Sequence, residues 1–273
     1  MINFKPLILI FLINVFLIMS CDNLGMSARE TPDEVAFIPS YNGESIGCDS
    51  VITHSDDRWH YTQLQFYISD ISLKDSMGKW QKAPLVPSPY QTSNVALLGE
   101  NCNLGKENSK ANWSVILTKQ ARLINSSQIR FTLGLPFAVN HLNPLTQQSP
   151  LNVPTMFWGW QQGHKFLRLE MSSSKHDWLF HLGSVACQSA SPLRAPIKEC
   201  RYPNRYTFEL PLSKANPVVI FELSALLNNI MISEQNHCQS SPNKPSCQIL
   251  VTNLQQQGAL AVFQNNQQTR PHE

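Results

Sequence analysis

The chain reads as an all-β protein: an antiparallel β-sandwich, stapled by disulfides, with one short helix. Three observations predict this. Apolar and polar residues alternate with a period of two in several segments, clearest where Leu64, Phe66 and Ile68 alternate with Gln63, Gln65 and Tyr67. No helical pattern comes between those segments, so the βαβ rhythm of a parallel sheet is missing. Six cysteines remain once Cys21 is set aside, an even number suited to cross-linking.

The elements follow in order. Val35–Ile38 is the first strand, closed by the turn Asn42-Gly43. The segment from Leu64 to Ile68 is the second, and Ile71–Leu73 a further strand before the Met77-Gly78 turn. Val95–Leu98 and Trp113–Thr118 follow, then Ile129, Phe131 and Leu133 alternating with Gln128, Arg130 and Thr132. Residues Asn140 to Met156, rich in Pro, Asn and Gln, form a long loop, the kind of segment where a sandwich carries its function. Lys165–Met171, Trp178–Leu182, Tyr206 to Leu210 and Val218–Leu223 are the later strands. The one helix expected runs from Ser224, as N-cap, to about Ile232.

The ends carry targeting signals. Lys5 and the apolar run from Leu7 to Met19, broken only by Asn14, make residues 1–20 a signal peptide too short to span a bilayer comfortably. The run ends in Leu17-Ile18-Met19-Ser20-Cys21, similar to a bacterial lipobox with Cys21 as the lipidated residue; an ordinary cleaved signal peptide is the alternative. Either way the mature chain is expected outside the cytoplasm, and the lipobox reading puts it on the periplasmic side, anchored to a bacterial membrane. Asp22 after that cysteine resembles an inner-membrane retention signal and favours that membrane over the outer one. Residues 21–32 then serve as a flexible linker, 33–265 as the folded domain and 266–273 as a polar tail.

Spacing arbitrates among the cysteines. Cys238 and Cys247 enclose a short loop containing Pro242 and Pro245, and Cys187 and Cys200 enclose another containing Pro192 and Pro196. Cys48 is then left for Cys102. A metal–thiolate site is the competing reading, but no C-x-x-C occurs.

Composition excludes some functions. A net charge of +2 without any Lys/Arg cluster makes no electrostatic case for nucleic acid. Gly43-Glu44-Ser45-Ile46-Gly47 matches G-x-S-x-G, yet Cys48-Asp49-Ser50-Val51 follows where a nucleophile elbow needs a helix. H-E-x-x-H, G-x-G-x-x-G, a P-loop and C-x-x-C-H are all missing.

Eight histidines remain as possible ligands. His54 and His60 bracket Asp56, Asp57, Arg58 and Trp59; two imidazoles from one loop can converge on copper or zinc, or can simply be solvated. His141 opens the long loop, and His181 lies within a strand on the face opposite Trp178, Phe180 and Leu182; either could instead hold a loop by hydrogen bonds. His164, His176, His237 and His272 have no partner by spacing and read as surface residues. Trp158 and Trp160 straddle Gly159, which suggests core packing at a bulged strand start, with a sugar-stacking platform as the alternative. Trp59, among charged residues, is either accessible or folded over the end of the sandwich.

Together these segments resemble the MbnP-like family, also described as four-Cys proteins. The resemblance runs through Asn42-Gly43, Cys48, Leu64 to Ile71, Val95-Ala96-Leu97-Leu98, Cys102, Phe131-Thr132-Leu133-Gly134-Leu135-Pro136 and Asn140-His141. It continues with Phe157-Trp158-Gly159-Trp160-Gln161-Gln162-Gly163-His164-Lys165-Phe166-Leu167-Arg168, His181-Leu182-Gly183-Ser184, Cys187 and Cys200. His164 departs from it, standing where the family often has Tyr. The four family cysteines are then Cys48, Cys102, Cys187 and Cys200, with Cys238 and Cys247 an addition. The resemblance implies a non-enzymatic, copper-binding β-sandwich, secreted or lipid-anchored. It also implies a partner, a dihaem c-type peroxidase-like enzyme, that converts a tryptophan to kynurenine beside the copper-binding histidines. Carried onto this chain, it makes Trp59 the modified residue, with His54 and His60, and then His141 and His181, as ligands.

Overall fold

In a computed structural model that describes residues 33–104, 111–121, 123 and 126–265, two sheets pack face to face through a layer of phenylalanines. The signal peptide, Cys21, the linker and the tail lie outside the described residues.

The smaller sheet is built on β1 (Glu34–Tyr41), flanked by β2 (Glu44–Ser45). The larger holds β3 (Ile52–His54), the long central β4 (Asp57–Lys74), β5 (Trp80–Lys82) and β6 (Val95–Asn101). β7 (Ser114–Ile116) returns to pair with β1, and β8 (Gln128–Leu133) lies against β4. The short helix α1 (Phe137–Asn140) leads into the long loop, after which β9 (Phe157–Gly159) turns back onto β10 (Gly163–Ser172), which pairs with β11 (Asp177–Gly183). β12 (Tyr206–Pro211) edges the larger sheet beside β8, and β13 (Val218–Glu222) lies beside β1. The chain closes with α2 (Leu223–Leu226), β14 (Cys238–Gln239), α3 (Pro245–Leu254) and β15 (Phe263–Asn265).

Aromatic side chains lock the layers together. Phe66 of β4 stacks on Phe221 of β13 at 5.2 Å between ring centroids, and Phe131 of β8 meets Phe37 of β1 edge-on at 5.5 Å. Phe263 of β15 touches Phe66, Phe131 and Phe208. Buried rings in edge-to-face and offset contact contribute area burial together with a favourable quadrupole term.

The β-sandwich and its staples agree with the sequence, but several details do not. β1 and β13 pair in parallel, as do β11 and β14, within sheets that are otherwise antiparallel. The segments expected as separate strands around Leu64 and Ile71 are one strand. β4 carries two bulges, one at Thr62 against β10 and one around Asp70 against β8, and each shifts the inward phase by one residue. Trp59 and Tyr61, then Leu64, Phe66 and Ile68, then Ile71 and Leu73 face the core in turn. The helix expected from Ser224 stops at Leu226, and Glu222, not Ser224, caps it by accepting from the Ser224 N–H. α3 was not anticipated: Pro245 in its first turn and buried Cys247, Leu250 and Leu254 on one face are its signal.

All three disulfides pair as spacing predicts: Cys48–Cys102, Cys187–Cys200 and Cys238–Cys247. The last ties β14 to α3. Among the described residues no helix is long and apolar enough to cross a membrane.

Candidate functional site

The sequence offers two places for chemistry, and the structure treats them differently. The first is the β3–β4 hairpin. Ser55 and Asp56, with φ of 51° and 60°, form its two-residue turn, so His54 pairs with Asp57 and Ile52 with Trp59. Residues opposite one another share a face and neighbours alternate. His54 is therefore on the Trp59 side and His60 on the other. The pair does not converge.

Their surroundings agree. His54 has both ring nitrogens engaged, Nε2 with the Ile230 carbonyl at 2.7 Å and Nδ1 with the Tyr41 hydroxyl at 3.1 Å. His60 is exposed and donates from Nδ1 to the Ser50 carbonyl at 2.9 Å. Trp59 is only 1% exposed and donates from Nε1 to the His54 carbonyl, so of its two readings the covered one holds, and it is a core residue. The bulge at Thr62 is what turns it inward, and local composition carries no sign of that.

The second place surrounds the Trp-Gly-Trp block, where the long loop, the β9–β10 turn and the loop after β11 meet. Asn140 organises it. Its Oδ1 accepts the His164 backbone N–H at 2.8 Å, which fixes the orientation of the amide. Its Nδ2 then donates to the Gln162 carbonyl at 3.1 Å and to His141 Nε2 at 3.2 Å. Gly163, at φ +78°, lets this happen: a Cβ there would lie 2.4 Å from the Asn140 carbonyl oxygen. Gly183 serves likewise under Trp158, whose ring a Cβ would meet at 2.7 Å.

His164, expected at the surface, is fully buried, with Nδ1 3.0 Å from the Asn140 carbonyl and Nε2 2.9 Å from the Leu151 carbonyl. It ties the long loop to β10. Trp158 and Trp160 are half-buried, so they form neither core nor an exposed platform. The Trp158 ring instead packs edge-on against His181, 6.3 Å between centroids.

His181 is 5% exposed and contacts Glu170 across the β10–β11 pair, Nε2 to Oε1 at 2.8 Å. Its Nδ1 is buried with no hydrogen-bond partner. Burial pushes the Glu170 carboxyl up, but hydrogen bonds from His181 and Arg168 outweigh this and hold it at about 2. Burial pushes His181 below its ordinary value, and the positive charges of Lys165 and Arg168 offset much of the carboxylate's pull. The pair at neutral pH is therefore a neutral imidazole donating Nε2–H to an ionised carboxylate, which leaves the lone pair on Nδ1. Both shifts make the fold acid-sensitive. A carboxyl held low binds fewer protons in the folded than in the unfolded state, so its stability is present above pH 4.5 and lost as pH falls toward about 2. Urea midpoints at pH 7, 4 and 3 are expected to fall in that order, and Glu170→Gln to flatten the acid limb.

His141, at the end of α1, is half-buried between Phe137 and the Cys187–Cys200 bridge, with Nε2 3.8 Å from Cys200 Sγ. Its pKa is lowered by burial and by nearby His164, with the Trp160 backbone opposing. The four predicted histidines are thus divided: His141 and His181 flank the Trp-Gly-Trp block, while His54 and His60 belong to the hairpin. Among the described residues, His181 has no group of further His, Cys, Asp or Glu ligand atoms gathered about it; the groups that exist are His141 with Cys187 and Cys200, and Cys48 with Glu100 and Cys102.

Fold and site together define a disulfide-stapled two-sheet sandwich that presents histidines and half-buried tryptophans where three loops meet. Such a chain belongs to the MbnP family, whose model matches residues 31–241. A solved structure of MbnP from Methylosinus trichosporium superposes with a TM-score of 0.70 at 22% identity, covering 80% of this chain and 86% of that one; at this identity the likeness establishes the fold. No curated protein matches the sequence.

Proposed function

We propose that this protein binds copper outside the cytoplasm and acts in its acquisition or storage, without catalysing a reaction itself. It is lipid-anchored at Cys21, with Asp22 favouring the inner membrane. Membership of the MbnP family supports this reading, and one observation carries it to a residue. His181 donates one ring nitrogen to Glu170 and keeps the other bare, buried and unbonded beside Trp158. A metal-ligating histidine is typically held this way, its far N–H on a carboxylate that orients the ring and raises its basicity. The residues present fit copper, since imidazole suits it and no hydrogen-bond partner competes for His181 Nδ1.

One imidazole holds an ion weakly. The second donor in this reading is the aniline nitrogen of kynurenine. A dihaem c-type peroxidase-like partner, using two equivalents of peroxide that leave as water, cleaves the C2–C3 bond of the Trp158 indole to N-formylkynurenine. Hydrolysis then releases the formyl carbon as formate. Trp158 takes this role in place of Trp59 because it is half-exposed and touches His181. Bound copper is a cargo here.

The test is co-expression with and without the partner enzyme, followed by metal analysis and mass spectrometry of the peptides carrying Trp158 and Trp59. Copper is expected only with the partner, with the mass change on the Trp158 peptide. Glu170→Gln should weaken copper binding by about 10- to 100-fold, and His181→Ala by more. Copper absent under both conditions, or retained in full by His181→Ala, overturns the proposal.

A further inference from the structure

We infer that the Cys187–Cys200 bridge is a redox-gated second metal site, independent of His181, that takes a soft ion once reduced. His141 Nε2 and the two sulfurs lie within 4.8 Å of one another, and Nε2 is already 3.8 Å from Cys200 Sγ. Ligands of one tetrahedral or trigonal ion are about 3.5–4 Å apart, given metal–sulfur and metal–nitrogen bonds near 2.3 and 2.0 Å. The imidazole is thus at coordinating distance from one sulfur before any movement, and only the sulfurs have to part.

The tautomer suits the task. The His164 backbone N–H can only donate, so it fixes Asn140 Oδ1 and turns Nδ2 toward His141. Nε2 therefore carries the lone pair, which Asn140 Nδ2 holds while no ion is present. An ion on Nε2 would replace Asn140 Nδ2 at that lone pair, so binding exchanges this hydrogen bond for a metal bond. Two thiolates and one imidazole select Cu(I) first and Zn(II) second. The loop between the cysteines is exposed at Leu193, Arg194 and Ile197, so the bridge closes a surface segment and its opening leaves both sheets intact.

The chemistry balances. A dithiol reductant gives two electrons and two protons to the Cys187–Cys200 bond and becomes a disulfide itself; two thiols result. Binding of the ion then releases their two protons to solvent. A disulfide oxidant that takes two electrons from the thiolates and two protons from solvent, becoming a dithiol, re-forms the bridge and expels the ion by removing two of its three ligands.

Oxidised protein, and protein treated with a phosphine reductant, should be titrated with Cu(I) against a chromophoric chelator. Thiolate-to-copper ultraviolet absorption and circular dichroism should be recorded at each point. The reduced form is expected to take up one more equivalent than the oxidised form, with new thiolate absorption. Cys187→Ser with Cys200→Ser should lose that equivalent, and His141→Ala should weaken it at least about tenfold. His181→Ala should leave it unchanged, which separates this site from the proposed copper site. No additional equivalent, or one that persists in the double serine variant and so belongs to Cys48, Glu100 and Cys102, overturns the inference. His141→Ala leaves all three disulfides in place, so the inference remains testable if the serine variant fails to fold.

Discussion

Gly163→Ala is expected to unsettle the fold and the candidate site together. A Cβ at this position would lie 2.4 Å from the Asn140 carbonyl oxygen, 2.5 Å from its Oδ1 and 2.6 Å from its Cγ. None of these atoms is free to retreat, because the amide is committed to His164, His141 and Gln162. The positive φ of 78° adds a backbone term of about 1–2 kcal/mol for any L side chain, and overpacking adds a further 1–3 kcal/mol or so. Together these predict a loss of about 3 kcal/mol. Gly43→Ala is the control, because Gly43 has a similar φ of 82° but nothing within 4 Å of the built Cβ. It should cost only the backbone term. Urea unfolding of the two variants separates strain from collision; equal losses would mean that Asn140 yields without cost.

Glu222→Ala is expected to cost on the order of 3–4 kcal/mol, a fall in Tm of roughly 10 °C for a domain of this size. The carboxylate ends β13 and accepts from the Ser40 hydroxyl at 2.6 Å, the Asn42 N–H at 2.9 Å, the Gly43 N–H at 3.1 Å and the Ser224 N–H at 3.0 Å, as well as from the Ser224 hydroxyl. Burial pushes it up, but these donors outweigh burial and hold it below the usual carboxylate range. One side chain therefore fixes the β1–β2 turn and the start of α2. Truncation strands several donors at once, and a stranded donor costs more than the lost bond returns. Glu222→Gln keeps one oxygen but turns an NH₂ toward donors, so it should fall between wild type and alanine. Calorimetry on the three proteins checks the order; an alanine variant within about 1 kcal/mol of wild type would remove the argument.

The period-two patterns made the strands legible, because Phe131, Phe208 and their neighbours face one hydrophobic layer. Cysteine spacing made the staples legible. Phase changes along a strand were not visible, since a bulge is set by the partner strand's register and leaves no mark on composition. That is why the sequence leaves the burial of Trp59 open and makes His60 its collaborator. His164 read as a surface residue for a related reason: its two carbonyl partners, on Asn140 and Leu151, come from a loop whose path the sequence does not state. Alternation puts His181 on the face away from Trp178, but its value lies in the bare Nδ1 and in Glu170, its diagonal neighbour across the β10–β11 pair, which only the register reveals.

The two bulges of β4 act as a pair of half-turns that cancel. The ends of the strand share one phase while the middle has the other, so residue count between the bulges matters as much as residue type. Deleting Thr62 would take out the extra residue, so plain alternation back from Leu64 would carry Tyr61 and Trp59 inward as before and leave His60 outside. Chains that differ by one residue at this point therefore keep the same tryptophan in the core, the bulge absorbing the difference. An alignment that forbids a gap within β4 would misplace it.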